Sequence, residues 1–512
     1  MLARVQSFVL SGIDDGPCEV EVDIDEAGLG QNRPTVVGLP DAAVRESVER
    51  VESAIRNSGY SFPLGKLLIN LAPADVRKEG PIYDLPIAIG MLLANGTIAP
   101  PRKESPYDYR RFLFAGEVAL DGRLRPISGA IAMALHAKRK GFRGVFLPRD
   151  NAREASAVDG VEVYGVSTLA GVVAALTGEQ PLEPEPPLDF EELIAAAKPE
   201  IDFAEIKGQE AAKRAMLIAV AGGHNILMLG PPGTGKTMLA KALPGILPPL
   251  SREEALAVTR VYSVCGLVGR DEGLRTLRPV RTPHHTASAP AIIGGGAIPK
   301  PGEVSLAHFG VLFLDELPEF PKAVLETLRQ PLEDRLVTIS RTHSSMRFPA
   351  DFMLVAALNP THKGDLPEDA RGRRAMEQYL SRLSGPLIDR IDIHVEVPKV
   401  PYSKLRGRAN GRASAEIRDE VLSARRRQRA RQGAALANAR LSGKQLDLHA
   451  GLNPESSRMV EAAVTELGLS ARAYDKVRRV ARTIADLEGA DAINSEHVAE
   501  AIQYRLLDRL LA

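Results

Sequence analysis

The chain has 512 residues, of which 44% are hydrophobic and 25% are charged, as is usual for globular proteins with a large core. Lys+Arg and Asp+Glu both number 65, so the total charge does not indicate a nucleic-acid partner, and any contact with DNA has to come from a local patch. The two cysteines, Cys18 and Cys265, exclude a disulfide scaffold and a cysteine-based zinc site, and since the chain has neither a long apolar run nor a signal-peptide pattern, we expect a cytoplasmic protein with no membrane partner.

The N-terminal third alternates strand and helix patterns. Within residues 1–176, residues 20–24 alternate with a period of two, as a half-buried strand does, and residues 42–56 carry apolar side chains at helical spacing. An α/β domain is therefore predicted for 1–176. Residues 177–200 follow as a linker, because the Pro- and Glu-rich run at 179–188 predicts a stiff, exposed segment.

A phosphate-binding loop is predicted at residues 230–237, which match G-x-x-x-x-G-K-[ST] in full. An apolar run precedes the loop and a helical pattern follows it. Glycines let backbone N–H groups turn toward an anion, and the start of a helix adds partial positive charge. Lys236 is expected to reach the β- and γ-phosphates of ATP, and Thr237 to hold Mg²⁺. The residues expected to bind the nucleotide are Gly230, Pro231, Pro232, Gly233, Thr234, Gly235, Lys236, Thr237 and Met238.

A second motif, at residues 310–316, has four apolar residues followed by two acids. It predicts a buried parallel strand that delivers carboxylates at its C-terminal end. Asp315 suits the Mg²⁺ shell, together with Thr237, and Glu316 suits a general base that orients water toward the γ-phosphate. The two motifs together predict an ATPase.

The set of motifs around this pair resembles a known family. It comprises Asp202 and Phe203, Ile206 with Gly208 and Gln209, the glycine loop, Thr-Pro-His-His-Thr at 282–286, and residues 381–392. These residues resemble the AAA+ ATPases of the magnesium-chelatase-like group, and more closely the ComM/YifB family of bacterial competence-associated ATPases, over essentially the full chain. The resemblance implies a P-loop AAA+ α/β core with a parallel sheet at 201–400 and a helical lid at 401–512.

Three further catalytic roles follow from the resemblance. Asn359 resembles the sensor that polarises the attacking water; the alternative is a turn asparagine before a proline. Arg390 resembles the arginine finger offered to the γ-phosphate of a neighbouring subunit; the alternative is a salt bridge within residues 389–392. Arg472 resembles the lid sensor that also reaches nucleotide; the alternative is a solvated helix arginine. A finger acting in trans implies a head-to-tail homo-oligomer, which in this family resembles a hexameric ring.

Two insertions are candidates to line a central pore. Residues 282–302 include His284 and His285, which as adjacent residues do not suit a metal pair. Residues 333–348 predict a β-hairpin with its tip near 342–345. Its candidate phosphate contacts are Arg341, His343 and Arg347; the alternative is a solvated hairpin. A basic helical stretch is a further candidate patch or, equally, a solvated face: Arg425, Arg426, Arg427, Arg429 and Arg431.

Residues 114–148 resemble the Lon protease domain. A Lon-type protease needs a serine nucleophile activated by a lysine, but the matching positions hold Ile82 and Ile131. We therefore expect a non-proteolytic domain with the ribosomal S5 domain 2-like α/β fold. The chain also lacks the cysteine cluster that many relatives carry after the sensor asparagine, so no zinc is expected.

The leading hypothesis is an ATP-hydrolysing ring motor, a DNA translocase or helicase that promotes branch migration in recombination or natural transformation. Its expected partners are single-stranded or branched DNA and recombination proteins. The alternative is an ATP-driven protein remodeller that resembles a magnesium-chelatase motor subunit. Ile82 and Ile131 argue against a protease, and Glu316 with Asn359 argue against a slow nucleotide-gated scaffold. The ATPase chemistry follows from the residues, whereas DNA as the substrate follows mainly from the resemblance.

Overall fold

A computed structural model describes residues 2–25, 34–101, 107–296, 299–341, 344–360, 374, 376, 379–401, 411–433, 436–467 and 470–505. The chain divides into two units, one formed by Met1–Ala195 with Ser251–Arg275 and the other by Ala196–Leu250 with Thr276–Ala512.

The strands of the described residues are numbered in chain order. They are β1 (Leu2–Ser11), β2 (Asp14–Asp25), β3 (Thr35–Val37), β4 (Lys66–Ala72), β5 (Phe112–Phe114), β6 (Glu117–Val118), β7 (Leu124–Arg125), β8 (Gly144–Pro148), β9 (Glu162–Val166), β10 (Ile226–Leu229), β11 (Val280–Arg281), β12 (Gly294–Gly295), β13 (Lys300–Pro301), β14 (Val311–Leu314), β15 (Leu336–Arg341), β16 (Ser344–Pro349), β17 (Met353–Leu358) and β18 (Ile393–Glu396).

The α-helices are numbered in the same way. They are α1 (Ala42–Asn57), α2 (Asp84–Ala94), α3 (Ala130–Lys140), α4 (Arg149–Ala155), α5 (Leu169–Thr177), α6 (Phe190–Ala196), α7 (Glu210–Gly222), α8 (Lys236–Ala242), α9 (Arg252–Val264), α10 (Ala289–Ile293), α11 (Glu303–Leu306), α12 (Lys322–Thr327), α13 (Arg329–Asp334), α14 (Gly385–Ile388), α15 (Ser414–Gln432), α16 (Gly443–His449), α17 (Pro454–Leu467), α18 (Ala471–Glu488) and α19 (Ser495–Gln503).

The N-terminal unit is built on a four-stranded sheet of order β1-β2-β4-β3 and a parallel sheet of order β5-β8-β9. β2 runs antiparallel to β1 and β4, whereas β3 runs parallel to β4. α2 packs on β1 and β2, and every residue of this helix is buried. A helix that is apolar on most of its surface requires such an enclosed position, so the composition of α2 explains its place in the core.

Residues 251–275, which the predicted boundaries place inside the ATPase core at 201–400, pack with the N-terminal unit instead. A capping box formed by Ser251 and Glu254 starts α9, and this helix packs on α3. The Arg260 guanidinium lies 3.4 Å from Asp14 and 3.3 Å from Asp15. The segment therefore leaves the ATPase core after α8 and returns before β11.

The Pro- and Glu-rich run is largely exposed, as predicted, but it is also anchored. The Tyr107 hydroxyl donates to the Leu182 carbonyl at 2.9 Å and accepts from the Leu182 N–H at 2.8 Å. Shortly after this anchor, α6 forms within the predicted linker. None of the residues of α6 is buried, so this helix lies at the surface.

The second unit is built on a five-stranded parallel sheet of order β11-β14-β17-β10-β18. β10, β14 and β17 are buried along their full length, as continuous apolar runs in a parallel sheet require. The helices from α15 onward share one hydrophobic core with this sheet. In α18 the apolar residues recur at helical spacing and form its buried face.

The structure confirms the predicted fold class, a mixed α/β protein with a parallel-sheet core and a helical C-terminal region. The strand at 20–24, the helix at 42–56 and the hairpin at 333–348 are all present, as β2, α1 and the antiparallel pair β15–β16. None of the described helices combines the length and the apolar composition that crossing a membrane demands.

Candidate nucleotide-hydrolysis site

The predicted phosphate loop joins β10 to α8 at the carboxyl edge of the parallel sheet. Gly233 and Gly235 have φ angles of 75° and 93°, a left-handed conformation that glycine adopts without cost. Gly230 is required for another reason, because a Cβ atom there would lie 2.2 Å from the carbonyl oxygen of Val397. The loop is closed by a hydrogen bond of 3.0 Å from the Thr234 hydroxyl to the Pro231 carbonyl.

Lys236 lies inside the loop, and only 6% of its surface is exposed. Its ammonium group donates to the carbonyls of Gly230 at 2.6 Å and Pro231 at 2.8 Å, and to Asn359 Oδ1 at 3.1 Å. Burial lowers the pKa of Lys236, and the carboxylates of Asp315 and Glu316 partly oppose this shift. All three acceptors are neutral oxygens. A phosphate that enters the loop would therefore give the Lys236 ammonium a negatively charged hydrogen-bond partner, which these three acceptors do not provide.

The residues present fit Mg²⁺ bound with a nucleotide. Thr237 Oγ1 donates to Asp315 Oδ2 at 2.9 Å, which joins the first turn of α8 to the end of β14. Hydroxyl and carboxylate oxygens are the ligands that Mg²⁺ prefers, and this ion normally completes its shell with water and substrate phosphates. When bound, the ion would neutralise charge on the phosphate oxygens. Within the described residues, no group of three or more His, Cys, Asp or Glu side chains is arranged to hold a metal by protein ligands alone.

Glu316 has a left-handed backbone conformation, with φ 53° and ψ 47°. Non-glycine residues adopt this region rarely, and such strain is concentrated at functional sites. Its carboxylate lies 3.4 Å from His285 Nδ1, and the two side chains are 47% and 31% exposed. His285 follows β11, the neighbour of β14 in the sheet, so the insertion at 282–302 brings a histidine to the predicted base. The pattern of the sequence does not reveal this contact.

Asn359 follows β17, which lies between β10 and β14 in the sheet. Its contact with Lys236 places it at the phosphate loop, where a sensor has to be. Gln209 joins the same region, because its side-chain amide donates to the carbonyls of Thr234 at 3.1 Å and Pro398 at 2.6 Å. The carboxyl ends of adjacent parallel strands thus bring Lys236, Thr237, Asp315, Glu316 and Asn359 together.

Arg390 lies at the amino-terminal ends of the strands, opposite the phosphate loop, in the turn between α14 and β18. Its guanidinium is ion-paired with Glu333 of α13 and is 15% exposed. The alternative of a salt bridge within residues 389–392 is not what the described contacts show, because Asp392 lies 3.4 Å from His224 Nδ1 and 3.9 Å from Lys476 Nζ. The described contacts of the Arg390 guanidinium are with Glu333 and the Pro386 carbonyl, away from the phosphate loop of its own chain, which is compatible with a role in trans.

Two residues that hold this turn carry no signal in the sequence. Asn225 donates from Nδ2 to the Arg390 carbonyl at 2.9 Å, and its Oδ1 accepts from the Leu354 N–H at 2.8 Å. Lys476 donates to the carbonyls of Asp389 and Ile391. An asparagine before a strand and a lysine in a helix are common, so only the fold reveals these contacts.

Arg472 is 67% exposed at the start of α18, and its guanidinium lies 3.9 Å from Asp389. A surface pair of this kind contributes little stability. The structure thus places Arg472 beside the turn that carries Arg390 rather than on the phosphate loop, and its role as a lid sensor stays a prediction.

The substrate-contact candidates are partly described. Arg347 is exposed on β16, whereas His343 and the side chain of Arg341 lie outside the described residues. The basic stretch of α15 divides in two. Arg425 and Arg431 bond within the fold, to the Val220 carbonyl and to Asp486. The exposed members of the stretch are Arg426, Arg427 and Arg429.

The two positions that replace a Lon-type dyad are packing residues. Ile131 is fully buried, and Ile82 packs against the core of the N-terminal unit. The Glu154 carboxylate accepts from the Ile131 N–H at 3.0 Å. The stretch that lacks the cysteine cluster is 359–371, of which residues 361–371 lie outside the described part of the chain.

The glycine loop, the acid-ended strand and the five-stranded parallel sheet define a P-loop protein of the AAA+ class. Family models of a magnesium chelatase subunit match three consecutive parts of the chain: "Subunit ChlI of Mg-chelatase" at 20–151, "Magnesium chelatase, subunit ChlI" at 202–405 and "Magnesium chelatase, subunit ChlI C-terminal" at 411–505.

Full-length relatives narrow the assignment. The chain is 44% identical over 516 residues to "Uncharacterized protein YifB" of Salmonella typhimurium and 42% identical over 516 residues to "Competence protein ComM" of Haemophilus influenzae, with 100% of this chain and 98% of each relative covered. The chain belongs to the ComM/YifB family of magnesium-chelatase-like AAA+ ATPases. It is also 28% identical over 186 residues to "Lon protease 2" of Bacillus subtilis, which covers 36% of this chain and 32% of that protein. The family implies ATPase activity and an ATP-driven motor, with ATP and Mg²⁺ as ligands.

Proposed function

We propose that the chain is an ATP-hydrolysing ring motor that translocates on DNA and promotes branch migration during recombination or natural transformation. The observation that carries the ATPase part is the convergence of Lys236, Thr237, Asp315, Glu316 and Asn359 at one sheet edge. Lys236 would bind the phosphates, Glu316 would orient the attacking water and Asn359 would polarise it.

The position of Arg390 supports the proposed ring. Its turn lies at the end of the sheet away from the phosphate loop, and its guanidinium is bound to Glu333. An arginine finger can raise phosphoryl transfer by roughly 10³–10⁵-fold. A finger placed away from its own phosphates suits a role in trans, for which a head-to-tail assembly that closes into a ring is the proposed arrangement. A hexamer is the proposed form.

DNA as the substrate rests on the relative named competence protein and on surface chemistry. The hairpin β15–β16 exposes Thr338, Ser340, Ser345 and Arg347, groups that can donate hydrogen bonds to phosphate oxygens. The exposed arginines of α15 offer a further positive patch. The chain contains no tryptophan, so tracking of the phosphate backbone is favoured over base stacking.

The test is the ATPase rate with and without single-stranded, double-stranded and branched DNA across a salt series. Stimulation that declines with salt is expected, because phosphate contacts release counterions. Lys236→Ala is expected to abolish turnover with every DNA. Arg347→Ser is expected to weaken stimulation while DNA-free turnover is kept, with Arg4→Ser, an exposed arginine of β1, as the matched control.

A protein remodeller is the second candidate, favoured by the family-model match to a magnesium chelatase subunit. It predicts ATPase activity that DNA does not change, with no salt-sensitive DNA binding. That result would replace the DNA motor by the remodeller and would leave the proposed ATPase residues in place.

A further inference from the structure

The turn that carries Arg390 is gripped by a lysine of the C-terminal helical region. Lys476 of α18 is 5% exposed. Its ammonium donates to the Ile391 carbonyl at 3.0 Å and also to the Asp389 carbonyl. These two carbonyls belong to the residues on either side of Arg390, so one cation fixes the backbone on both flanks of the proposed finger.

Other side chains also donate to the carbonyls of this turn. Asn225 binds the carbonyl of Arg390 itself at 2.9 Å, and Arg505 Nη1 donates to the Ile391 carbonyl at 2.7 Å and the Asp392 carbonyl at 3.3 Å. A buried carbonyl that loses its donor is costly, at about 1–3 kcal/mol. The path of the turn therefore depends on donors that come from other elements.

Lys476 differs from these donors because of the helix that carries it. Arg472 precedes it by one turn of α18, and residues four apart share one face of a helix. Arg472 in turn lies 3.9 Å from Asp389. One face of α18 thus carries both Arg472, the proposed nucleotide sensor, and Lys476, which binds the backbone on both sides of Arg390.

We infer that Lys476 is a positioning residue that makes the Arg390 finger follow the α18 helix of its own protomer. The inference rests on the proposed role of Arg390 in trans. When α18 moves, the flanks of Arg390 move with it, and the site of the neighbouring protomer that Arg390 serves senses the change. Without the Lys476 ammonium, Arg390 is still present, but its backbone is no longer held in the position that directs its guanidinium to the neighbouring site.

The experiment uses full-length Lys476→Met, which keeps the apolar stem and removes the ammonium. The matched control is Arg478→Met on the same helix, since Arg478 is 8% exposed and donates to the carbonyls of Ala450 at 3.1 Å and Leu446 at 3.2 Å, away from the turn. ATPase activity is measured for each variant alone and after mixing with increasing amounts of Lys236→Ala protomers, relative to wild-type chain in the same mixtures. Lys236→Ala protomers lack turnover but carry an intact finger.

Lys476→Met alone is expected to lose about 10²-fold in turnover, the cost of misplacing a catalytic group by about 1 Å. Addition of Lys236→Ala protomers is expected to restore activity to Lys476→Met sites, as it should for Arg390→Ala. Arg478→Met is expected to show no such rescue. If Lys476→Met does not assemble, Lys476→Gln, which keeps an N–H donor group without the charge, is mixed in the same way.

The outcomes separate the two levels of the proposal. Rescue of Arg390→Ala without rescue of the Lys476 variants overturns the positioning role and leaves the finger standing. Failure to rescue Arg390→Ala rejects the finger in trans, and the positioning role falls with it.

Discussion

Gly230→Ala tests whether the phosphate loop depends on one close approach of two backbones. The added Cβ atom would lie 2.2 Å from the Val397 carbonyl oxygen, whereas ordinary contacts begin at 3.4 Å. Neither partner is a flexible side chain, so the loop and the segment after β18 must separate by about 1 Å. The Val397 N–H donates to the Leu229 carbonyl at 2.7 Å, and the separation acts on this bond.

Overpacking of this kind costs about 1–3 kcal/mol, which corresponds to an opening equilibrium that rises about 5- to 150-fold. Hydrogen–deuterium exchange of peptides that cover 226–232 and 393–399 measures it directly. ATP turnover is expected to fall by up to about 10²-fold, since the displacement reaches the phosphate site.

Gly233→Ala is the matched control in the same loop. No atom lies within 4 Å of its added Cβ, so the cost is limited to the left-handed backbone at φ 75°, about 1–2 kcal/mol. Exchange at 393–399 should stay as in the wild-type chain. The reasoning is refuted if the two variants change exchange at 393–399 equally, or if Gly230→Ala leaves it unchanged.

Three further outcomes are expected. Glu316→Gln should lower turnover by about 10²–10⁴-fold while ATP stays bound, as a retained radiolabelled nucleotide would show; normal turnover would count heavily against its role as the base. Burial alone would raise the pKa of Asp392, but His224 and Lys476 outweigh it and lower that pKa from 3.8 to about 2. Because the folded state favours the ionised form, about 2 kcal/mol of stability is present above about pH 4 and is lost as the pH falls toward about 2. Urea unfolding from pH 5 to 2 should show this loss in the wild-type chain and not in Asp392→Asn. The same dependence of the free energy of unfolding on pH in both chains would contradict it. Asn225→Ala should destabilise the ATPase core by about 2–6 kcal/mol, since two backbone groups lose partners at about 1–3 kcal/mol each; the exposed Asn57→Ala serves as control, and an equal effect of both in denaturant melts would disprove the assignment.

The hydrolysis site could be predicted from the sequence because its parts are local patterns joined by one general rule. The apolar run before the loop at 230–237 and the four apolar residues within 310–316 each predict a buried strand that is followed by polar groups. Parallel strands place their carboxyl ends at the same edge, so the contact of Thr237 with Asp315 at 2.9 Å follows without knowledge of distant contacts.

The path of residues 251–275 could not be predicted in the same way. α9 has an ordinary capped, amphipathic pattern. Such a pattern predicts that one face of the helix is buried, but it does not identify the element against which that face packs. Its partner is chosen by long-range contacts such as that of Arg260 with Asp15, separated by more than two hundred residues in the chain. The partner of Arg390 was open for the same reason, since Glu333 and the acids beside Arg390 are equally good ion-pair candidates on charge alone.

The strand β10 relates the phosphate loop to the finger turn in physical terms. Its four residues are all buried, and at about 3.3 Å per residue they span roughly 13 Å. The loop begins at its carboxyl end, and at its amino end Asn225 binds the Arg390 carbonyl and the Leu354 N–H of β17. β10 is buried and hydrogen-bonded to a strand on each side. It therefore shifts as a unit, because the protein interior around it is close-packed. We therefore expect a displacement of the loop by nucleotide to reach the finger turn through β10, so that removal of Lys476 uncouples the finger from α18 but not from its own phosphate site.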